Sequence, residues 1–311
     1  MKSKLLTSFC AALCLLMLAG LSWPALARDD QSELRVGALT RTYAIHVPQR
    51  SAPKGGYPIL FAFHGGGGEG AKIATLMKFD PYADARGFIV VYPDGLDRHW
   101  NDGRDSIKNK SDDIGFVTAL LDDLKRRYPV NANKVFAVGI SNGAVFSQRV
   151  ACELSDRFTA IAAVSGSLAA DLAPSCHPAR PISVLQIAGT ADPIMPYDGG
   201  AVRKILGMGE GGNVLSVRDT VVLWAEKDGC AAPSEPERLA LITQPDGTAV
   251  TKQSYAQCQG SATVTLLSIE GGGHAWPGGP QIFPRIVGRA SQQLDATRAI
   301  IDFFFPTQNS N

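Results

Sequence analysis

Residues 135–151 read Val135-Phe136-Ala137-Val138-Gly139-Ile140-Ser141-Asn142-Gly143-Ala144-Val145-Phe146-Ser147-Gln148-Arg149-Val150-Ala151. A short apolar run enters a G-x-S-x-G pattern, and a segment free of Gly and Pro leaves it. The run fits a buried strand and the exit fits a helix. A serine at the sharp turn between them is pressed into a strained backbone conformation that exposes its hydroxyl. Gly139 and Gly143 are expected there because larger residues would clash with the neighbouring strand and helix. The pentapeptide alone is weak. Its position between strand and helix makes Ser141 a candidate nucleophile.

The same alternation continues in both directions. Residues 41–47 alternate polar and apolar, as a half-buried strand does. Residues 57–63 are almost continuously apolar and suit a central strand covered on both faces. Residues 88–92 form another such run, stopped by Pro93-Asp94-Gly95. The long polar stretch after it, 94–111, has the length of a functional loop. Ser111 reads as the N-cap of a helix with an apolar stripe at Val117, Leu120, Leu121 and Leu124. Asp112 and Asp113 in its first turn, and Lys125, Arg126 and Arg127 in its last, suit the helix dipole. Further strands are expected at 159–164, 182–188 and 263–269, and further helices at 216–227 and 291–305. Alternating strands and helices give an α/β fold, a mostly parallel sheet with helices on both faces. Residues 199–212 are Gly-rich loop, and 233–247 are a hairpin or an insertion. No linker divides residues 28–311, so one domain is expected.

Hydrophobic residues make up 45% of the chain and charged residues 19%, an ordinary balance that can bury a core. The formal charge of +1 offers no basic surplus for nucleic acid. Lys2 and Lys4 precede an apolar run over 10–21, and Ala25-Leu26-Ala27 is a small-x-small site. That is the pattern of a secretory signal peptide over 1–27. The run is interrupted and short for a transmembrane helix, so no stable membrane anchor is expected. Cleavage would remove two lysines and no acid, taking +1 to −1. Periplasmic or extracellular residence follows. Cys152, Cys176, Cys230 and Cys258 would remain, an even number that points to two disulfides in an oxidising compartment. The sequence does not choose among the three connectivities, and the local pairing 152–176 and 230–258 is the working expectation. With no C-x-x-C, neither a metal site nor a cofactor is expected.

A serine hydroxyl needs a base to take its proton, and the base needs a carboxylate to hold its tautomer. His274 lies after the last apolar strand in Glu270-Gly271-Gly272-Gly273-His274-Ala275-Trp276. A loop so poor in side chains lets an imidazole reach across the end of the sheet. The carboxylate should fall between Ser and His in chain order and follow a strand. Asp192, in Gly189-Thr190-Ala191-Asp192-Pro193, meets both conditions, whereas Asp198 and Asp228 follow no strand directly. Donors for an oxyanion are expected from the Asn142 N–H and from Gly65 or Gly66 in His64-Gly65-Gly66-Gly67-Gly68, an HGGG-type loop. His64 is expected to brace that loop beside the substrate.

Six segments in order carry a resemblance: F-H-G-G-G-G, Y-P-D-G, W-N-D-G-R, G-I-S-N-G, G-T-A-D-P-I-M-P-Y and G-G-G-H-A-W-P-G-G. The chain resembles the secreted polyhydroxybutyrate depolymerase and feruloyl esterase family of the α/β-hydrolase fold, over roughly residues 35–305. The resemblance implies one catalytic domain hydrolysing carboxylic esters, with Ser141 as nucleophile, Asp192 as acid and His274 as base. It also implies that Trp100 and Trp276 flank the acyl pocket as substrate-binding residues. The family's W-N-x-G-R is often followed by cysteine. Asp105 stands there instead, so no disulfide is expected at that place. Polymer depolymerases commonly add a linker and a polymer-binding domain. A chain ending at Asn311 is therefore expected to take small-molecule or oligomeric esters, with an acetylxylan-type deacetylase as the alternative.

Two rivals come from other classes. Gly65 to Gly70 formally satisfies G-x-G-x-x-G after a strand, as a dinucleotide-binding loop would, but that reading leaves Asp192 and His274 without a role. A non-catalytic ligand-binding member of the fold predicts a spoiled triad, whereas all three positions are present. Asp94, Asp97, Asp102 and Asp105 crowd one loop without EF-hand spacing, and a solvated loop is expected.

Overall fold

Ten strands hydrogen-bond into one sheet in a computed structural model that describes residues 29–204 and 210–306. The expected signal peptide lies outside the described residues. The first half of the chain supplies β1 (Asp29–Val36), β2 (Leu39–His46), β3 (Tyr57–Phe63), α1 (Gly70–Met77), α2 (Asp80–Arg86), β4 (Ile89–Pro93), α3 (Asp113–Arg127), β5 (Val130–Ile140) and α4 (Asn142–Glu153). The second half supplies β6 (Ala160–Val164), β7 (Ser183–Gly189), β8 (Gly200–Ala201), β9 (Asn213–Val214), α5 (Val217–Lys227), β10 (Glu237–Arg238), β11 (Ala249–Tyr255), β12 (Val264–Glu270), α6 (Pro284–Val287) and α7 (Ala296–Phe304). The order across the sheet is β1-β2-β4-β3-β5-β6-β7-β12-β11-β10, and β8 and β9 pair separately. From β4 to β12 all neighbours are parallel, and antiparallel strands extend both edges.

Alternation along the central strands divides the core. Ile59, Phe61 and Phe63 of β3 face the same layer as Val117, Leu121 and Phe146, under α3, α4 and α5. Leu60 and Ala62 face the layer of Met77, Ile300 and Phe304, under α1, α2 and α7. Both faces are therefore covered, as the apolar runs require. The α/β-hydrolase class expected from the sequence is the fold observed.

Several boundaries differ from the sequence reading for identifiable reasons. The N-cap of α3 is Asp112, whose carboxylate accepts from the Gly115 N–H at 2.8 Å. Ser111 instead donates its hydroxyl to Asp113, which is drawn into a buried ion pair with Arg41 at 2.8 Å. The last helix begins at Ala296, where Asp295 caps the Arg298 N–H. Residues 291–295 are held by the loop after His274 through Gly278 N–H to Ser291 and Gln292 to the Gly279 carbonyl. The polar strands β1, at one edge, and β11, next to the other edge strand β10, carry no apolar run and go unannounced in the sequence. Cys152–Cys176 and Cys230–Cys258 are both bonded, the local pairing. The first fastens the end of α4, and the second fastens the end of α5 to the turn after β11.

Asp228 caps α5 from inside the protein. One carboxylate oxygen accepts from the Ile182 N–H at 3.1 Å, and burial pushes the carboxyl up from 3.8 to about 6. The folded state thus holds a proton that the unfolded chain has released. This contribution is fully present below pH 3.8 and is lost as pH rises through about 6. Its full size is about 3 kcal/mol. Asp228→Asn keeps the Ile182 acceptor and is expected to flatten this slope and raise stability at pH 8. Urea unfolding of both proteins at pH 5 and pH 8 checks it, and an equal slope in the variant contradicts it.

Candidate active site

Ser141 ends β5 and begins the turn into α4 with φ 58° and ψ −125°, outside the regions an L-residue prefers. A Cβ on Gly139 would run into the backbone of Gly143, and one on Gly143 into the carbonyls of Phe63 and His64. Both glycines are needed for close backbone approach, as the turn demands. The Ser141 N–H donates to the Val164 carbonyl at 2.9 Å, and its own carbonyl accepts from Ala144 and Val145.

Three strand ends bring their residues to this turn. His274 Nε2 lies 2.9 Å from Ser141 Oγ, and His274 Nδ1 lies 2.8 Å from Asp192 Oδ2. The other Asp192 oxygen accepts from the N–H groups of Ile194 and Met195, each at 2.8 Å. Two backbone donors fix the orientation of the carboxylate, so that its other oxygen can receive Nδ1–H and leave the Nε2 lone pair facing the serine. The His274 loop is fastened from outside by its own N–H to Val287 and the Gly273 N–H to Arg289.

The glycine loop covers the same place. A Cβ on Gly65 would project 3.3 Å from Ser141 Cβ, and one on Gly66 would lie 3.8 Å from Asn142 Cβ. Asn142 is the first residue of α4, where backbone N–H groups have no partner within the helix. Gly65, Gly66 and Asn142 are thus gathered around Ser141. His64 is fully buried and braces the loop. Burial lowers its pKa, although its hydrogen bond to the Gly65 carbonyl opposes the shift. The neutral ring donates from Nδ1 to Gly65 and accepts at Nε2 from the Gly95 N–H at 3.0 Å. Both ring nitrogens are thus taken by backbone partners.

Both tryptophans, expected to flank the acyl pocket, are buried in the core. Trp100 is wholly buried and stacks on Phe146 at 4.8 Å, while its indole N–H donates to the His64 carbonyl at 3.0 Å. Trp276 is buried against Phe79 and donates to Thr297 Oγ1 at 3.1 Å. Each large aromatic body fills core volume under a site loop while its one donor finds an internal acceptor.

The polar loop 94–111 is likewise less solvated than expected. Asp102 and Arg104 are buried and paired at 2.6 Å. Asn142 donates to Asp102 Oδ2 at 2.7 Å and exchanges hydrogen bonds with the Trp100 backbone. Asp94 accepts from the Gly70 N–H at 2.6 Å and from Thr42. Its carboxylate therefore occupies the N-terminus of α1, where a dinucleotide pyrophosphate would need to sit. A groove of about 990 Å³ lies at the opposite ends of the parallel strands, beside Lys134, Thr159, Ser183 and Thr263, away from Ser141.

The sequence reading missed His99 and Glu210. His99 Nδ1 donates to the Asp97 carbonyl, and its Nε2 lies 3.1 Å from Glu210 Oε1. Burial raises the Glu210 carboxyl. A Cβ on Gly66 would lie 3.0 Å from the same His99 nitrogen.

A family profile described as "Putative esterase" matches residues 39–235. The chain belongs to this esterase family. The esterase is 30% identical over 286 residues to "Putative esterase NocK" of Nocardia uniformis subsp. tsuyamanensis, covering 89% of this chain and 83% of that one. It is 27% identical over 224 residues to feruloyl esterase B of Piromyces equi, covering 70% of this chain and 39% of the relative's length. Among solved structures, the acetyl xylan esterase from Aspergillus awamori shares the fold with a TM-score of 0.53 at 17% identity, covering 75% of this chain and 89% of that one. The esterase is a carboxylic ester hydrolase.

Asp102→Ala would leave the Arg104 charge buried and without its carboxylate and Asn142 Nδ2 without one of its two acceptors. The esterase is expected to lose about 3–5 kcal/mol of stability. Denaturant unfolding measures this, and a loss under 1 kcal/mol contradicts the buried pair as a structural tie.

Proposed function

We propose that this esterase hydrolyses soluble or oligomeric esters of the feruloyl or hydroxyalkanoate type through Ser141, His274 and Asp192. The observation that carries the reading is the continuous chain from Ser141 Oγ through both His274 nitrogens to Asp192. His274 takes the serine proton as Oγ bonds to the ester carbonyl carbon. Charge on the carbonyl oxygen is met by the Asn142 N–H and by the N–H of Gly65 or Gly66. The C–O bond to the alcohol breaks, and the His274 proton goes to the departing oxygen. Water then loses a proton to His274 as it attacks the acyl-serine, and Ser141 regains its hydroxyl. No cofactor takes part.

The six-segment resemblance and the likeness to a feruloyl esterase support the substrate type. The acetylxylan-type alternative uses the same machinery and differs only in the acyl group. Two disulfides and the leader pattern of residues 1–27 support an exported enzyme. Among the described residues no helix is long and apolar enough to cross a membrane.

Ser141→Ala is expected to lower p-nitrophenyl butyrate turnover by about 10⁴-fold or more with the circular dichroism spectrum unchanged. Asp192→Asn is expected to lower it by about 10³–10⁴-fold. Activity within tenfold of wild type in the serine variant removes the assignment. A panel of methyl ferulate, hydroxybutyrate oligomers and acetylated xylan tests the substrate type. The highest kcat/KM should fall on one of the first two, and preference for acetylated xylan would replace this reading with the deacetylase.

A further inference from the structure

Trp100 grips two segments that meet at Ser141. Its indole N–H donates to the His64 carbonyl at 3.0 Å. Its backbone N–H donates to Asn142 Oδ1 at 2.8 Å, and its carbonyl accepts from Asn142 Nδ2 at 3.0 Å. All three bonds are buried. A core tryptophan needs one acceptor for its indole, and many would serve. These particular partners set Trp100 apart.

The His64 carbonyl and the Gly65 N–H belong to one peptide group. A trans peptide is planar, and its N–H points opposite to its carbonyl. Holding the carbonyl therefore fixes the direction of the Gly65 N–H. The next peptide is held in the same way, because the Gly65 carbonyl accepts from His64 Nδ1 at 2.8 Å and from the Gly68 N–H at 2.9 Å. On the other side, Asn142 is the first residue of α4, and its side chain is locked between the Trp100 backbone and Asp102. A side chain held at three points leaves its own backbone little freedom to turn. The N–H groups of Gly65, Gly66 and Asn142 meet no acceptor among the described residues. Free donors fixed from behind suit an oxyanion, since they need no reorganisation as charge develops. Trp100 is itself confined by its stack on Phe146 and an edge contact with Phe63 at 5.1 Å.

We propose that Trp100 is a positioning residue that orients both oxyanion donors at once. It acts on the Gly65 peptide through its indole and on the Asn142 peptide through its backbone. The inference rests on the Ser141 reading and adds a residue that works through two others.

Trp100→Phe keeps an aromatic body and removes the indole donor. Replacing Trp100 by its benzothienyl analogue, with sulfur where the N–H stands, removes the donor and keeps the shape. Trp224→Phe is the control. It deletes another buried indole bond, at 2.6 Å, which ends on the Gln148 side chain and not on a donor peptide. The readouts are p-nitrophenyl butyrate turnover, inhibition by phenylboronic acid and thermal melting. When the boronic acid binds, Ser141 Oγ bonds to boron and its proton passes to His274. The negative tetrahedral centre that results calls on the same donors.

Both Trp100 variants should lower kcat by about 10- to 100-fold, weaken the boronic acid by a similar factor and leave KM within about threefold. Trp224→Phe should lower the melting temperature comparably, because it too leaves a buried acceptor unpaired. Its kcat and boronic acid affinity should stay within about threefold of wild type. A kcat within about threefold of wild type in the benzothienyl variant overturns the proposal. So does a loss carried by KM alone, or an equal loss in Trp224→Phe. A Ser141→Ala protein that matches wild type in turnover and boronic acid binding would instead remove the Ser141 reading, and this one with it.

Discussion

The backbone of Ser141 is the constraint on which the site depends. At φ 58° and ψ −125° it costs on the order of 1–3 kcal/mol, and it persists only where the surroundings over-determine it. They do so from three directions. Gly139 admits the first turn of α4, Gly143 admits the end of β3, and Gly166 after β6 admits the Ser141 carbonyl. Gly139 and Gly166 lie at the ends of parallel strands and Gly143 in the first turn of α4, so sheet and helix together clamp the turn. A strained serine on a loop would relax. Here relaxation would require separating packed strands.

Rigidity spreads from the turn through buried polar groups rather than through apolar contact alone. On one side Asn142 fastens the 100–102 segment, and Asp102 binds it to Arg104 and through Arg104 to Gly211. Beneath α4, Trp224 donates to Gln148, Gln148 to Gln186, and Gln186 to the Gly166 carbonyl. Every member of that second chain has its partner, which is the condition under which a buried polar network rigidifies a core. The two networks meet at α4, whose first residue stands beside the serine.

What the sequence disclosed follows from how far the relevant physics reaches. The strand-turn-helix around Ser141 and the strand ends before Asp192 and His274 are local patterns, and the parallel sheet turns strand order into spatial convergence. Loop partners are not local. Asp102 looked like one of several solvated acids because its partnership with Asn142 exists only after β5 and the 94–111 loop come together. The edge strands were missed because an edge needs no apolar run. Glu210 carries no motif at all. Its place beside His99 is next to the Gly211 carbonyl that Arg104 holds, a contact no local pattern announces.

The two tryptophans show where composition misleads. An aromatic beside an active-site motif is read as a pocket wall, but a bulky side chain next to a glycine-rich loop is also what fills the space the glycines leave. Trp100 supports the His64 loop from below, and Trp276 ties the His274 loop to α7. In both cases the aromatic bulk is spent on holding a loop in place.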